Sequence, residues 1–404
     1  MRRRWMTALA ACATVAALAV PVPALAAGTC NGLPVTITGT SGNDTIVGTA
    51  GNDVIAAGAG NDVIFGLEGD DTVCGGTGDD RFDSGPGRDT FVAEARPDGR
   101  DTIVARTDSF EDTVTYAART TAVTLSPDGV ANDGTPGEGD NISDVNAVIG
   151  GSGNDTLTDS PVGQHALSGG PGNDKITGHF SLFGGPGDDT LTIPAGSGSA
   201  LAKGNDGNDR ITNGGLRSNL TGDNGDDTII GGNGGDVIFG GNGDDVLIGG
   251  TGADSIFGEA GNDQIAGGLG DDDISGGDGD DIFIATIKRD GADGFFGGAG
   301  VDTADYSARN NLATGTILSL SLDGVFGNDG EPGEGDTLGG DVENVKGGVG
   351  RNFIVGNALA NNLRGGQSAD FIVGADGIGG NDVIDGVLTG NICSFDPGDT
   401  VTNC

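Results

Sequence analysis

The aspartate side chains are the groups in this chain whose regular spacing indicates a chemical function. Nineteen nine-residue stretches, here called nonads, have glycine at the fourth position and aspartate at the sixth; the eighth is Ile, Val, Leu or Phe in all but one, where it is Ala304. Carboxylates held beside glycine-rich turns are hard oxygen ligands, which calcium takes in sets of about six to eight. The nineteen candidate metal ligands are Asp44, Asp53, Asp62, Asp71, Asp80, Asp89, Asp155, Asp174, Asp189, Asp209, Asp227, Asp236, Asp245, Asp254, Asp263, Asp272, Asp281, Asp302 and Asp382.

The nonads form two uninterrupted blocks and several separate copies. Six fill 39–92 and seven fill 222–284, and the separate copies occupy 150–158, 169–177, 184–192, 204–212, 297–305 and 377–385. The chain has 83 glycines, a content that also occurs in flexible linkers. A linker has no physical reason to keep an apolar residue in register with an acid, so the pattern indicates folded structure.

Each nonad contains a turn followed by a very short strand. Its first six residues are rich in Gly, Asn and Asp, which favour turns, and its last three are centred on an apolar residue. Turn plus strand makes half a coil, so two nonads make one coil. Successive coils would stack as parallel strands about 4.8 Å apart, with the eighth-position residues pointing inward as a thin core. The predicted fold class is therefore all-β, a right-handed parallel β-roll.

The nonad resembles the GGxGxDxUx calcium-binding repeat of RTX (repeats-in-toxin) proteins, as in "GGNGDDVLI" at 240–248. The resemblance implies a β-solenoid in which calcium ions lie between the turn of one nonad and the turn two nonads later. It implies that the nineteen aspartates are the carboxylate ligands. Pairs of nonads two apart number four in the first block and five in the second, which implies about nine calcium ions or more.

Electrostatics favours a bound cation independently of the resemblance. Stacked sixth-position carboxylates about 5 Å apart repel by roughly 3 kcal/mol at an effective dielectric near 20. One buried Ile or Leu contributes about 1.5–3 kcal/mol, well below the roughly 9–18 kcal/mol that ordering nine residues costs. Calcium suits a cage of carboxylates and carbonyls better than magnesium does. Asn352 and Asn361 replace the acid over 347–364, where we expect weak or no binding.

The first 26 residues are typical of a secretory signal peptide. Three arginines precede an apolar run that ends in the small-residue sequence Ala24-Leu25-Ala26. The run is short and contains two prolines, which disfavours a transmembrane anchor. We expect a secreted, extracellular protein, exported by the general secretory or the twin-arginine route. RTX toxins usually carry an uncleaved C-terminal export signal instead, so a toxin function is not expected.

The net charge of the chain limits the classes of molecule that it can bind. The formal net charge is −41, which repels nucleic acids and anionic membrane surfaces and attracts cations. No long apolar segment follows the signal peptide, so we expect no membrane insertion. Calcium ions are the predicted partners, together with a cell-surface glycan or protein.

Four cysteines follow the signal peptide, and an even number in an exported chain favours disulfides. Three pairings of Cys30, Cys74, Cys393 and Cys404 are open from sequence. We favour Cys30–Cys74 and Cys393–Cys404, because each pair lies near one end of the repeat stack. Free structural thiols are the alternative.

Two acidic modules interrupt the nonads and resemble each other. Tyr116 and Arg119 of the first match Tyr306 and Arg309 of the second. Each module ends in an acidic loop that either binds calcium or forms a solvated turn. The candidate loop ligands are Asp128, Asp133, Glu138 and Asp140, matched by Asp323, Asp329, Glu334 and Asp336.

The predicted organisation has seven segments. A signal peptide (1–26) precedes a first repeat block (27–92), and a first acidic module (93–149) precedes a central repeat block (150–305). A second acidic module (306–346), degenerate repeats (347–392) and a disulfide-capped tail (393–404) complete the chain.

Catalytic motifs are missing from the sequence. It contains neither HExxH nor GxSxG, and its two histidines, His165 and His179, lie between nonads. We predict that the protein is not an enzyme but a structural or adhesive surface component. The alternatives are a calcium sink or sensor, and a carbohydrate-active or other hydrolytic enzyme that carries these repeats.

Overall fold

Short strands of two to six residues follow one another along the chain, separated by turns. The structure is a computed structural model that describes residues 28–105, 111–160, 164–287, 289–309, 317–325, 327, 329–374 and 376–404. The predicted signal peptide lies outside the described residues. Among the described residues, no helix combines the length and apolar character needed to cross a membrane.

Strand pairing is parallel and keeps the nonads in register. Leu247 is aligned with Ile229 on one side and with Ile265 on the other, so eighth-position residues face one another in successive coils. The offset between aligned positions is 18 residues in the uninterrupted blocks. A hairpin of Thr29–Cys30 and Leu33–Pro34 pairs antiparallel at the N-terminal end. Two nonads therefore make one coil, as predicted.

Alternate nonads contribute strands to different sheets, so the chain winds as a flattened solenoid. A 15-stranded sheet contains Ile37–Thr38, Val54–Ala59, Thr72–Thr77, Thr90–Val92, Thr113–Thr115, Ala147–Ile149, Ala166–Ser168, Ser181–Pro186, Leu201–Asp206, Asn219–Asn224, Val237–Asn242, Ser255–Ala260, Asp273–Asp278, Gly294–Ala299 and Thr337–Leu338. A 14-stranded sheet contains Thr124–Leu125, Thr156–Thr158, Lys175–Thr177, Thr190–Ile193, Arg210–Asn213, Thr228–Asn233, Val246–Thr251, Gln264–Leu269, Ile282–Ile284, Thr303–Asp305, Asn344–Lys346, Asn362–Arg364, Val383–Asp385 and Thr400–Thr402.

Two smaller sheets complete the solenoid near its ends. Five strands pair near the N-terminal end: Thr45–Val47, Val63–Phe65, Arg81–Asp83, Thr102–Val104 and Asn141–Ser143. Four strands pair near the C-terminal end: Ile317–Ser321, Arg351–Val355, Phe371–Val373 and Ile392–Ser394.

The core is a narrow row of apolar side chains between the sheets. Eighth-position residues such as Ile238, Leu247 and Ile256 are fully buried, and Ala304 is buried in the same row. Leu182 and Leu220, which lie between separate nonads, are also fully buried. Those intervening stretches are thus half-coils that keep the apolar strand and lack the glycine–aspartate turn. The prediction of an all-β parallel solenoid is confirmed.

Both acidic modules contribute strands to the same solenoid. Thr113–Thr115 of the first module pairs with Thr90–Val92 and with Ala147–Ile149. Thr337–Leu338 of the second module pairs with Gly294–Ala299. The stack of coils therefore passes through the modules without changing its strand direction.

Both ends of the solenoid carry a disulfide. Cys30 is bonded to Cys74, with Cα atoms 5.8 Å apart, and Cys393 is bonded to Cys404, with Cα atoms 5.7 Å apart. The first bond ties the N-terminal hairpin to a strand of the 15-stranded sheet, and the second ties the strand Ile392–Ser394 to the C-terminal residue. The pairing favoured from sequence is the one that the structure forms.

Candidate metal sites

The sixth-position aspartates form a ladder of side-chain-to-backbone hydrogen bonds. The backbone N–H of Asp227 donates to Oδ1 of Asp245 at 2.7 Å, and that of Asp245 donates to Oδ1 of Asp263 at 2.8 Å. The same contact joins Asp236 to Asp254 on the opposite side of the roll, at 2.7 Å. One carboxylate oxygen of each aspartate thus fixes the register between successive coils.

Burial is common to the predicted ligands. Asp44, in the first nonad, is partly exposed, and the other eighteen are buried. Several are 0–1 % exposed, including Asp245, Asp263 and Asp281. Buried carboxylates need a compensating charge or hydrogen bonds.

The second carboxylate oxygen, Oδ2, is the feature that best fits a metal ion. In Asp44, Asp53 and Asp155 it accepts the N–H of the residue at position two of the same nonad, at 2.6 Å in each case. In fifteen others it is buried and has no hydrogen-bond donor: Asp62, Asp71, Asp80, Asp174, Asp189, Asp209, Asp227, Asp236, Asp245, Asp254, Asp263, Asp272, Asp281, Asp302 and Asp382. Each buried acceptor left unpaired costs about 1–3 kcal/mol or more, so a row of them favours bound cations or, without them, protonation.

Position one is glycine at most of these turns (Ala57 precedes Asp62), and the missing side chain lets the carboxylate oxygen approach the backbone. A Cβ added to Gly240 would lie 2.3 Å from Asp245 Oδ2 and 2.8 Å from the carbonyl oxygen of Gly258. At Gly222 the distances to Asp227 Oδ2 and to the Gly240 carbonyl oxygen would be 1.9 and 2.6 Å. A carboxylate oxygen and a carbonyl oxygen of the next coil therefore converge where any other residue would place a side chain.

Asn352 shows which further oxygens face the turn. Its Nδ2 donates to the carbonyl oxygens of Gly348 and Gly350, at 3.1 and 2.9 Å, and to Asp370 Oδ1 at 2.9 Å. These acceptors come from positions two and four of the same nonad and from position six two nonads later. The amide hydrogens carry partial positive charge, so Asn352 places a weak donor among oxygens that suit calcium. Weak or absent binding at this nonad stays a prediction.

Burial makes the ladder carboxylates hard to ionise without a cation. Desolvation is the main cause that raises the pKa of Asp227, Asp245 and Asp281 to about 7, with a smaller contribution from neighbouring carboxylates. Desolvation also raises the pKa of Asp189 to about 8, again with repulsion from the adjacent ladder members. Because calcium binds the ionised form, these groups link calcium binding to proton release.

Four ladder members were missed in the sequence because they lie outside complete nonads. Oδ1 of Asp101, Asp112, Asp293 and Asp370 accepts the N–H of the sixth-position residue one coil earlier, at 3.0, 2.8, 3.1 and 2.7 Å. Each begins an Asp-x-apolar triplet whose third residue is buried. Searching for this triplet without the glycine turn would have found them.

The acidic loops of the modules contain both buried and exposed carboxylates: Asp133 is buried, and Asp128 is exposed and accepts the N–H of Val130 at 2.8 Å. Both oxygens of Asp133 accept backbone N–H groups, from Ser126 at 2.5 Å and from Ile142 at 3.1 Å. Glu138 and Asp140 are also buried and bonded to protein donors. The three buried carboxylates therefore hold the module together from inside, and calcium binding by the loops stays a prediction.

Both histidine side chains lie close to the buried carboxylate of Asp159. Nδ1 of His165 contacts Oδ1 of Asp159, and Nδ1 of His179 lies 3.8 Å from its Oδ2. Across the described ranges, no group of three or more His, Cys, Asp or Glu side chains is arranged to hold a metal ion. The candidate sites are accordingly carboxylate–carbonyl sites of the nonad turns, where backbone oxygens complete the ligand set.

Comparison with known proteins agrees with this geometry. The RTX calcium-binding nonapeptide repeat matches residues 38–73, 66–91, 143–159, 166–180, 221–256, 248–283 and 346–379. No curated protein matches the chain by sequence. A solved structure with some similarity is a hyperactive, Ca²⁺-dependent, β-helical antifreeze protein from an Antarctic bacterium, with 16% identity, 85% coverage of each chain and a TM-score of 0.24. Repeated matches along the described coils, on turns that carry the aspartate ladder, show that this chain carries RTX calcium-binding nonapeptide repeats.

Proposed function

We propose that this protein is secreted and folds as its nonad turns bind calcium outside the cell. The fifteen buried Oδ2 atoms without a donor carry the proposal. They lie in the same register as the ladder, and at turns such as those of Gly222 and Gly240 a carbonyl oxygen of the next coil approaches the same point. Protein groups satisfy the other carboxylate oxygen, so the fold is complete except for positive charge at these turns.

Different positions of the nonad supply different oxygen ligands for calcium. The sixth-position carboxylates supply charge, and the carbonyl groups of positions two and four supply neutral oxygens, as the contacts of Asn352 indicate. Bound calcium would neutralise the repulsion along the ladder and join consecutive coils. At least about nine ions are proposed from the nonad pairs in the two blocks. Millimolar affinity, typical of extracellular calcium modules, would restrict folding to the outside of the cell.

A structural or adhesive role is proposed in preference to catalysis. The acids of the modules, such as Glu138 and Asp140, are bonded to buried protein donors, which supports an internal role for them. The proposed partner is a cell-surface glycan or protein. Binding of the calcium-loaded chain to a panel of polysaccharides, with turnover measured on the same panel, tests adhesion and hydrolysis together: turnover would contradict the non-enzymatic proposal.

A calcium titration of residues 27–404 followed by far-UV circular dichroism tests the main proposal. The expected result is a cooperative gain of β signal with calcium and not with magnesium at the same concentration. A chain whose β signal in chelator already equals that in calcium would overturn the proposal. Ion counting on the desalted calcium form gives the number of sites.

A further inference from the structure

The aspartate ladder crosses both acidic modules, where its environment changes. The N–H of Asp101 donates to Asp140 Oδ1 at 2.9 Å in the first module. At the second module, the N–H of Asp293, which lies in the preceding repeat block, donates to Asp336 Oδ1 at 3.3 Å. Asp140 and Asp336 therefore hold the place in the ladder that a sixth-position aspartate holds in the nonads.

In both modules a tyrosine satisfies the oxygen that the nonads leave without a donor. Tyr116 donates its hydroxyl hydrogen to Asp140 Oδ2 at 2.7 Å, and Tyr306 donates to Asp336 Oδ2 at 3.0 Å. Both tyrosines are 0 % exposed. These two ladder carboxylates consequently have protein donors on both oxygens.

In both modules a buried arginine supplies the positive charge. Arg119 Nη2 lies 2.8 Å from Asp98 Oδ1 and 2.6 Å from Glu138 Oε1, and its side chain is 1 % exposed. The guanidinium lies over the ring of Tyr116, 5.7 Å from its centroid. Because arginine stays protonated at any physiological pH, this positive charge is permanent.

The second module has the same arrangement, in which a buried arginine contacts two carboxylates and lies over a tyrosine ring. Arg309 Nη1 lies 2.7 Å from Glu334 Oε1, its Nη2 contacts Asp290, and its guanidinium lies 5.7 Å from the ring centroid of Tyr306. Two such clusters are thus present: Tyr116, Arg119, Asp98, Glu138 and Asp140 form the first, and Tyr306, Arg309, Asp290, Glu334 and Asp336 form the second.

We propose that these two clusters replace calcium with a built-in cation and hydroxyl, so that the module coils stay folded without calcium. They then serve as the structured sites from which calcium-driven folding spreads into the nonads. In a stack of coils each unit contacts only its neighbours, so folding propagates from whichever coil is already formed. The first cluster follows the block at 39–92 and the second follows the block at 222–284, so each calcium-dependent block borders a preformed coil.

This inference rests on the proposed function, and hydrogen exchange of residues 27–404 in chelator separates the two. The expected result is that amides of Thr113–Thr115 and Asn141–Ser143 exchange at least about tenfold more slowly than those of Val237–Asn242 and Val246–Thr251. With calcium added, all four strands become protected. If module and nonad strands are equally unprotected in chelator, this inference is wrong and the proposed function stands. If both are fully protected in chelator, the proposed function is wrong, and this inference with it.

Variants of the first cluster test its mechanism, with the second cluster as an internal control. Tyr116→Phe removes one hydroxyl, and Arg119→Met removes the charge. Each is expected to lower the protection of Thr113–Thr115 in chelator by about tenfold, as loss of a buried charge-assisted hydrogen bond would. Protection of Thr337–Leu338 should not change.

The Tyr116→Phe variant decides the matter if Arg119→Met fails to fold even with calcium. It leaves the shape of the cluster almost intact, so its calcium-loaded form should keep full protection. Unchanged protection of the first module in chelator would overturn the role assigned to the hydroxyl and the carboxylate of Asp140.

Discussion

At the scale of single residues, the two carboxylate oxygens of the sixth-position aspartate have different roles. Oδ1 accepts a backbone N–H from the preceding coil, as Asp245 does from Asp227, and so sets the register. In fifteen of these aspartates Oδ2 is buried and has no hydrogen-bond donor. An asparagine can keep the first role and lose the second, as Asn391 does: its Oδ1 accepts the N–H of Asp370 from the preceding coil at 2.6 Å, and its Nδ2 donates to the carbonyl oxygen of Gly386.

Asp245→Asn should therefore reduce calcium binding while it preserves the coil register. We expect the loss of one or two bound ions per chain and a higher calcium midpoint, because an amide oxygen replaces a charged ligand. Isothermal titration calorimetry with ion counting measures both. The matched control is Asp244→Asn, since Asp244 is exposed at the neighbouring position and needs only one oxygen to accept the N–H of Asn262. Equal ion counts for both variants and the parent chain would contradict the assignment.

Ladder protonation predicts an acid dependence of calcium binding. Burial raises the pKa of Asp227, Asp245 and Asp281 to about 7, above the ordinary value of 3.8. The metal-free folded state then holds protons that the unfolded state releases, so its stability is greatest below about pH 4 and is lost as the pH rises through about 7.

Calcium competes with these protons, so its midpoint should rise as the pH falls from 8 to 6. The rise should reach up to about tenfold per pH unit for each proton displaced. Calcium titrations by circular dichroism at several pH values measure it. In chelator, the β signal should increase when the pH is lowered from 8 to 5. A calcium midpoint that is independent of pH would contradict the raised pKa values.

At the scale of the nonad, the turn glycines let oxygens of neighbouring coils come close together, in addition to adopting positive φ angles. Gly243, at position four, has a φ of +131°, and a Cβ on it would lie 2.2 Å from the carbonyl oxygen of Gly225 in the preceding coil. At Gly240, in position one, the carboxylate of Asp245 lies where a side chain would start, although Ala57 and Ser84 occupy position one in two other nonads. At a turn such as that of Gly240, the oxygens come together because no side chain lies on this side.

Gly240→Ala should disrupt one turn, because its Cβ would lie 2.3 Å from Asp245 Oδ2. We expect a loss of about 2 kcal/mol or more in the local stability of the calcium form, within the range of strained or overpacked substitutions. Hydrogen exchange of the flanking strands measures this loss. Gly42→Ala is the control, because a Cβ at Gly42 meets nothing within 4 Å, and it should change stability by less than about 0.5 kcal/mol.

At the scale of the whole molecule, the protein is a one-dimensional stack whose ends are its weakest coils. An end coil has a neighbour on one side only, so it opens more readily than a central coil. Each end here carries a disulfide: Cys30–Cys74 spans 44 residues and Cys393–Cys404 spans 11. The first bond closes the longer loop and should stabilise its end more.

Replacing Cys30 and Cys74 by serine should lower the free energy of local opening of the first coils by about 2–4 kcal/mol. Serine at Cys393 and Cys404 should have a smaller effect, confined to the last strands. Hydrogen exchange of both variants in saturating calcium provides the comparison, and each variant is the control for the other end. Equal changes at both ends in either variant would mean that the bonds act through global stability.

The sequence by itself determined the half-coil, the position whose apolar side chain enters the core, and the residue type suited to bind calcium. All three are local: the turn glycines, the sixth-position aspartate and the apolar eighth residue lie within nine consecutive residues, and their repetition makes the fold predictable. It also favoured the disulfide pairing, because cysteines near one end of a stack have few other partners.

Only the tertiary structure decided where the ladder continues and what the modules do. Asp101 donates to Asp140 from 39 residues away, and Arg119 reaches Glu138 across 19 residues and Asp98 across 21. Contacts between different coils depend on how the intervening chain is threaded, and no local pattern specifies that. In the first module the structure pairs Glu138 with Arg119 and Asp140 with Tyr116, and no nine-residue pattern specifies those contacts.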